Sequence, residues 1–178
     1  MIKENFRKVG VFNLALLVLV IIYDSIRLAT GHSLIPKIAI IVHFVAYFAG
    51  ILYTFRGYKK GAAKYYKVYM FLVAISETLS FIVKLTRSEV TQINTVLSGV
   101  CVAIALSLTF IKDLGNKLSI SLCSLALAIH LYNLIYVVLF SSTKFQAISG
   151  PISDLALIAI TFVFVLVKYE DKAARGSE

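Results

Sequence analysis

The amino-acid sequence contains six apolar stretches of about 17–23 residues, each long enough for a helix to cross a hydrocarbon layer of about 30 Å. The stretches are continuous and lack the alternation of apolar and polar residues that is typical of a membrane β-strand. They predict an all-α fold, a polytopic transmembrane bundle of six helices with short connections. The predicted spans cover about residues 9–29, 36–56, 66–86, 92–112, 118–140 and 150–168.

The composition supports this prediction, because 60% of the residues are hydrophobic and only 15% are charged. A soluble domain has about 45–50% apolar and about 25% charged residues, so both a soluble globule and a disordered chain are excluded. No linker or change of composition marks a second domain. We therefore expect residues 1–178 to form a single integral membrane domain.

The net charge of +9 comes from 18 Lys and Arg residues against 9 Asp and Glu residues. The basic residues flank the apolar spans, so the predicted partner is the lipid bilayer, and no nucleic acid. Most of them lie before the first span, around the second and fourth connections, and after the last span. The positive-inside rule then places both termini in the cytoplasm, and we expect the chain in a cell membrane, the bacterial inner membrane.

Six ionisable residues lie within the predicted spans, and each costs about 2.5–3.5 kcal/mol near the centre of a bilayer. They are Asp24, Arg27, His43, Glu77, His130 and Asp154. In the predicted orientation all of them lie in the outer half of the membrane or at its middle. The inner halves of the spans are apolar, so the pattern predicts a polar cavity that opens outward and is closed below.

Glu77 is the predicted centre of a ligand site, because it lies too deep in the third span to reach the surface easily. His130 and Asn133 are three residues apart on one helix face, and they are predicted to surround Glu77 together with Asp24 and His43. Such carboxylates could bind a cation or exchange a proton. The predicted accessory residues are Arg27, Asp154, Tyr47, Tyr132 and Tyr136, of which the tyrosines would supply aromatic walls.

Each of these residues also has a structural interpretation. Asp24 and Arg27 are three residues apart and could pair with each other. Asp154 follows Pro151, which is predicted to open the sixth span, so its carboxylate could stabilise the first helical turn. His43 and His130 could be neutral side chains that hydrogen-bond between helices.

Motifs of known chemistry are missing from the sequence. It has no zinc-ligand spacing, no G-x-S-x-G elbow and no P-loop, so we expect no enzyme, no catalytic residue, no metal site and no cofactor. Cys101 and Cys123 lie in apolar runs and are interpreted as small buried hydrophobic side chains. Two pairs of small residues, Ala46 with Gly50 and Gly99 with Ala103, predict close helix packing.

The sequence therefore predicts a multi-pass membrane protein that binds or transports a small polar or cationic solute, or a proton, through an outward-facing cavity. With no nucleotide site, energy coupling would need an ion gradient, a partner membrane subunit or self-association. The alternative is a non-catalytic assembly or regulatory subunit of a membrane complex, whose polar residues pair between helices and bind no ligand.

Overall fold

The computed structural model describes residues 2–29, 34–56, 63–85, 92–111, 114–140 and 144–175. Six α-helices account for nearly all of them, which confirms the predicted all-α class. They are α1 (Ile2–Ala29), α2 (Leu34–Arg56), α3 (Ala63–Leu85), α4 (Gln92–Phe110), α5 (Asn116–Phe140) and α6 (Lys144–Arg175).

Four of these helices contain segments that are long and apolar enough to cross a membrane. The segments are Lys37–Phe55, Lys64–Leu85, Gln92–Phe110 and Asn116–Phe140. Within α1 and α6 the described apolar segments are shorter, Leu14–Ile26 and Pro151–Leu166. Large apolar side chains such as Phe48 and Phe140 project from the outer surface of the helices, which is compatible with contact to lipid.

The six helices close into a ring. Helices that follow one another in the chain pack together, and α6 also packs against α1. Asp24, near the end of α1, contacts His43 in the first half of α2 and Ser153 in the first third of α6. These contacts require α1 to run antiparallel to both neighbours, so α1 begins and α6 ends at the same end of the ring.

An apolar core fills the ring on the side of that end. Tyr69 of α3 and Phe164 of α6 are fully buried in it, with ring centroids 5.0 Å apart in an edge-to-face arrangement. Tyr53 of α2 packs against the other side of Phe164 at 4.8 Å. The Tyr69 hydroxyl donates a hydrogen bond of 3.0 Å to the Leu157 carbonyl oxygen, so the ring is held in place from α6.

The start of α6 differs from the prediction. The helix begins at Lys144, so Pro151 lies inside it and does not open it. Asp154 is therefore well past the first turn, where the helix dipole no longer stabilises a carboxylate. The proline was misleading because a ring that fits a first turn is also tolerated inside a membrane helix, where neighbouring groups satisfy the freed carbonyl oxygen.

The pair Ala46 and Gly50 packs closely, as predicted, and Gly50 yields a test of the fold. A Cβ atom at Gly50 would lie 3.3 Å from two ring carbons of Tyr69, which is held by its hydrogen bond and cannot retreat. We expect Gly50→Ala to lower the free energy of unfolding by about 1 kcal/mol through overpacking. Unfolding in mixed detergent micelles measures this change.

Gly99→Ala is the matched control, because a Cβ atom there would lie 3.5 Å from the Phe81 ring, an ordinary contact distance. We expect it to leave stability unchanged or to raise it by up to about 1 kcal/mol, since alanine restricts the unfolded chain. Equal stability of the Gly50 variant and the wild-type protein would contradict the close packing of α2 on α3.

Candidate functional site

A layer of polar side chains crosses the bundle next to the apolar core, on the side away from the start of α1 and the end of α6. Every helix contributes to it. The members of this polar layer are Asp24, His43, Tyr47, Ser76, Glu77, Cys101, His130, Asn133, Ser153 and Asp154. All of them are buried except Asp154, whose side chain is 15% exposed. The order of the polar and apolar layers along the helices is the one that the sequence pattern predicts.

The carboxylate of Asp24 is enclosed by groups from two other helices. Ser153 donates a hydrogen bond of 2.7 Å to Oδ1, and Tyr47 donates one of 3.2 Å to Oδ2. His43 Nδ1 also lies 3.2 Å from Oδ2. Asp24 has no exposed surface, so these contacts replace the water that would otherwise solvate its charge.

His43 connects Asp24 to the rest of the polar layer. Its Nε2 atom is hydrogen-bonded to the Ser76 hydroxyl and lies 3.7 Å from Oδ1 of Asp154. The imidazole ring is therefore placed between two carboxylates, Asp24 on one side and Asp154 on the other.

The order Asp24, His43, Ser76 is also the order of groups in a serine nucleophile triad. Ser76, however, lies in the middle of α3 and is buried. A hydrolase nucleophile stands on an exposed turn with free backbone N–H groups beside it, whereas the N–H groups around Ser76 are committed to the helix. The surroundings of Ser76 therefore differ from those of a serine nucleophile, although the order of the three groups is the same.

Glu77 forms a second carboxylate–imidazole pair, with His130 of α5. Its Oε1 atom lies 3.1 Å from His130 Nε2, and both side chains are buried. The carboxylate is not aligned with the hydrogen-bonding direction of Nε2, which has no hydrogen-bond partner among the described residues. The contact is close but lacks the geometry of a hydrogen bond.

Two further side chains border this pair. Cys101 of α4 is buried, and its Sγ atom lies within 4.8 Å of ligand atoms of both Glu77 and His130. Asn133 lies one turn after His130, and its Nδ2 atom is buried without a hydrogen-bond partner in the described part of the chain. The Glu77 pocket, defined as Glu77, Cys101, His130 and Asn133, therefore contains unsatisfied polar groups, unlike the surroundings of Asp24.

Lys84 lies two turns after Glu77 on the same face of α3. The sequence predicts that its side chain extends to the membrane surface without a partner. In the structure Nζ instead donates a hydrogen bond of 3.2 Å to the Ser98 hydroxyl of α4.

The structure brings together most of the residues that the sequence singled out. Asp24, His43, Tyr47 and Asp154 meet around one imidazole ring, and Glu77, His130 and Asn133 lie in the Glu77 pocket. The remaining tyrosines, Tyr132 and Tyr136, lie elsewhere. Tyr132 is 41% exposed and stacks on Tyr136, which in turn contacts Phe140, so these rings line the outside of α5. The side chain of Arg27 lies outside the described residues.

Three members of the polar layer were not singled out by the sequence: Ser76, Cys101 and Ser153. Serine and cysteine are common in membrane helices, where serine hydroxyls satisfy their own backbone, as Ser124 does by donating to the Ile120 carbonyl. Ser76 and Ser153 each precede an ionisable residue, which is a weak signal. For Cys101 the sequence offers only its position three residues after Ser98.

Comparison with known proteins adds no assignment, because no family model, no curated protein and no solved structure matches this chain. Its function therefore has to be inferred from the polar layer itself.

Proposed function

We propose that this chain is a six-span protein of the cell membrane that binds and transports a small cation or a proton, with the Glu77 pocket as the binding site. Both termini would lie in the cytoplasm. The polar layer would then lie in the outer half of the membrane, and the apolar core would separate it from the cytoplasm.

Helix length and charge support the six-span topology. Besides the four apolar segments, α1 has 28 residues and α6 has 32, so each exceeds about 30 Å in length at about 1.5 Å per residue. Both helices also belong to the closed ring. The Lys and Arg residues concentrate at the end where α1 begins and α6 ends, which the positive-inside rule assigns to the cytoplasm.

The observation that carries the proposal is the meeting of two carboxylate–imidazole pairs inside an apolar bundle. Asp24 with His43 and Glu77 with His130 are adjacent through Ser76 and Glu77, which are neighbours in α3. Ionisable residues at such depth are costly and mark ion pathways and proton relays in membrane proteins. Apolar residues would pack the bundle without that cost.

The two pairs differ in what they can bind. Asp24 is satisfied by Tyr47, His43 and Ser153, so it has little capacity left for a ligand. The Glu77 pocket combines a negative charge with buried polar atoms that lack partners, His130 Nε2 and Asn133 Nδ2. A cation bound there would neutralise Glu77, whose Oε1 atom lies 3.1 Å from His130 Nε2.

Transport would require the pocket to open to each side of the membrane in turn. Asp154 is the most exposed member of the polar layer, so the side chains around it and His43 are the natural point of entry from outside. Release toward the cytoplasm would require the packing of Tyr69 and Phe164 to change. Alternating access of this kind is usual in membrane transporters.

The contacts within the bundle leave Asp24 little capacity for a ligand. This observation favours a second candidate function, that of a membrane assembly or regulatory subunit. In that case the polar contacts would fix the positions of the helices, and a partner membrane subunit or a second copy of the chain would carry the activity. Side-chain hydrogen bonds between membrane helices do contribute to stability, by about 0.6 kcal/mol on average.

Flux measurements in proteoliposomes separate the two candidates. We expect wild-type protein to move protons, or protons in exchange for an added cation, faster than protein-free liposomes when a trapped dye reports the internal pH. Glu77→Gln keeps the size of the side chain and removes its charge, so flux should fall to the level of protein-free liposomes while the protein stays folded.

Tyr132→Phe is the matched control, because it removes a polar group of α5 that faces outward, two residues from His130. It should transport as the wild-type protein does. Unchanged flux in Glu77→Gln, or wild-type flux equal to that of protein-free liposomes with every cation tested, would favour the non-transporting subunit.

A further inference from the structure

We infer that Glu77, Cys101 and His130 form a binding site for a divalent transition-metal ion of the Zn²⁺ class. This inference rests on the proposed function, since it names the kind of cation that the Glu77 pocket selects. The three residues come from α3, α4 and α5, and a carboxylate oxygen, a thiol sulfur and an imidazole nitrogen lie within 4.8 Å of one another.

The spacing of these atoms suits a tetrahedral ion. Zn²⁺ binds nitrogen and oxygen at about 2.0–2.2 Å and sulfur at about 2.3 Å, so its ligand atoms lie about 3.3–3.8 Å apart. The oxygen of Glu77 and the nitrogen of His130 are already 3.1 Å apart. The Cys101 sulfur, within 4.8 Å of the other two atoms, completes a set of three donors close to the size of a tetrahedral site.

The unpartnered nitrogen of His130 is the second observation that points to a ligand. Nε2 is buried and has no hydrogen-bond partner among the described residues, although a buried polar atom without a partner is costly. The neutral ring has a lone pair at one nitrogen, which is the atom that a metal ion takes. A bound ion would satisfy Nε2 and neutralise Glu77 at the same time.

The donor set also selects the kind of ion. Mg²⁺ and Ca²⁺ prefer oxygen ligands, whereas this pocket offers a single carboxylate beside a thiol and an imidazole. A thiolate and an imidazole favour Zn²⁺ and its neighbours in the first transition series. Three protein ligands leave the fourth position of a tetrahedron open, as in sites where an ion or its bound molecule is exchanged.

The sequence predicted no metal site, since its three histidines lie on separate segments and both cysteines lie in apolar runs. The fold distinguishes the cysteines. Cys101 faces the Glu77 pocket, whereas Cys123 is buried in α5 and belongs to no cluster of metal-ligating side chains among the described residues. Cys123 therefore provides a matched control within the same chain.

Metal binding at these three residues would be coupled to the release of protons. A metal ion binds a carboxylate, a neutral imidazole and a thiolate, so any proton that these groups hold leaves when the ion enters. The pocket would thereby exchange a divalent ion for protons.

Titration of the purified, untagged full-length protein in detergent micelles tests the inference. With Co²⁺ as a spectroscopic probe, we expect saturable binding of one ion per chain, a thiolate-to-cobalt charge-transfer band and the visible bands of a tetrahedral site. Because the chain has two cysteines, persistence of the charge-transfer band in Cys123→Ser assigns the thiolate to Cys101.

Zn²⁺ titration calorimetry then measures the affinity and, in buffers of different ionisation enthalpy, the protons released. Cys101→Ser and Glu77→Gln should each weaken binding by about 100-fold or more, the upper end of the effect of losing an outer-shell partner. Cys101→Ser should also lower the number of protons released per ion, because no thiol is left in the pocket to ionise. Cys123→Ser should match the wild-type protein in both measurements.

Wild-type protein that gives no saturable Co²⁺ or Zn²⁺ binding, or a cobalt spectrum without the thiolate band, would overturn the inference, and neither result depends on a variant that might not fold. Wild-type affinity in Cys101→Ser would do the same. If metal binding fails but proton flux still depends on Glu77, the proposed transport function stands. If metal binds and no ion flux is found, the site stands and transport does not.

Discussion

Asp24→Ala is expected to lower the free energy of unfolding by about 3–5 kcal/mol, the cost of removing one partner from a buried ion pair. The carboxylate accepts contacts from His43, Tyr47 and Ser153, and it is completely buried. Alanine would leave these three polar groups beside a cavity, without the carboxylate oxygens that they contact. The expected loss exceeds the average of about 0.6 kcal/mol for one hydrogen bond between membrane helices, because several contacts are lost at once.

Ser25→Ala is the matched control, since Ser25 is the next residue of α1 and is exposed. Unfolding of both variants in mixed detergent micelles, followed by circular dichroism, gives the comparison. We expect Ser25→Ala to unfold as the wild-type protein does. The free energy of unfolding of Asp24→Asn should lie between those of the wild-type protein and Asp24→Ala, because the amide keeps one oxygen acceptor. A loss below about 1 kcal/mol in Asp24→Ala would contradict the enclosure of the carboxylate.

Phe164→Ala is expected to have the second largest effect, a loss of about 2–3 kcal/mol. The ring is buried between Tyr53 and Tyr69, at centroid distances of 4.8 and 5.0 Å. For a protein in a membrane, lipid is as apolar as the protein interior, so moving the ring from lipid into the core contributes little to stability. Most of the expected loss then comes from the cavity that alanine leaves. A void of roughly 100 Å³ at about 24 cal/mol per Å³ gives the expected value.

Phe48→Ala removes the same ring from the outer surface of α2, where Phe48 is 62% exposed. Because no enclosed cavity forms there, we expect its free energy of unfolding to stay within about 0.5 kcal/mol of the wild-type value. Equal losses in the two variants would show that Phe164 is not enclosed between α2 and α3, and the assignment of the apolar core would be wrong.

The helices and the buried polar residues could be predicted from the sequence because both depend on local information. Runs of apolar residues indicate helices regardless of what they pack against. An ionisable residue deep in such a run, such as Glu77, is expected to face the interior of the protein. The structure finds Asp24, His43, Glu77 and His130 buried in one layer.

The partners could not be predicted, because they depend on how each helix is rotated and on which helices are neighbours. Ser153 and Asp154 are adjacent in sequence, yet the first donates a hydrogen bond to Asp24 and the second lies 3.7 Å from His43 Nε2. Cys101 acquires its place beside Glu77 only when α3 packs against α4. Nothing in its own segment distinguishes it from Cys123.

The spacing of the tyrosines along their helices indicates which of them face the polar layer. Tyr47 follows His43 by four residues, so a helix of about 3.6 residues per turn places both on one face, as the structure does. Tyr132 follows His130 by two residues, which is more than half a turn, and it points away from the pocket. Residue type alone suggested three aromatic walls, whereas helical spacing supports one.

The contact between α1 and α6 has a consequence for the synthesis of the chain. During synthesis α1 is made first and α6 last, so the carboxylate of Asp24 has to wait for the hydroxyl of Ser153, 129 residues later. Until α6 is made, the first helix holds a carboxylate that lacks this hydrogen bond. A chain that stops before α6 is therefore left without one of the groups that enclose Asp24.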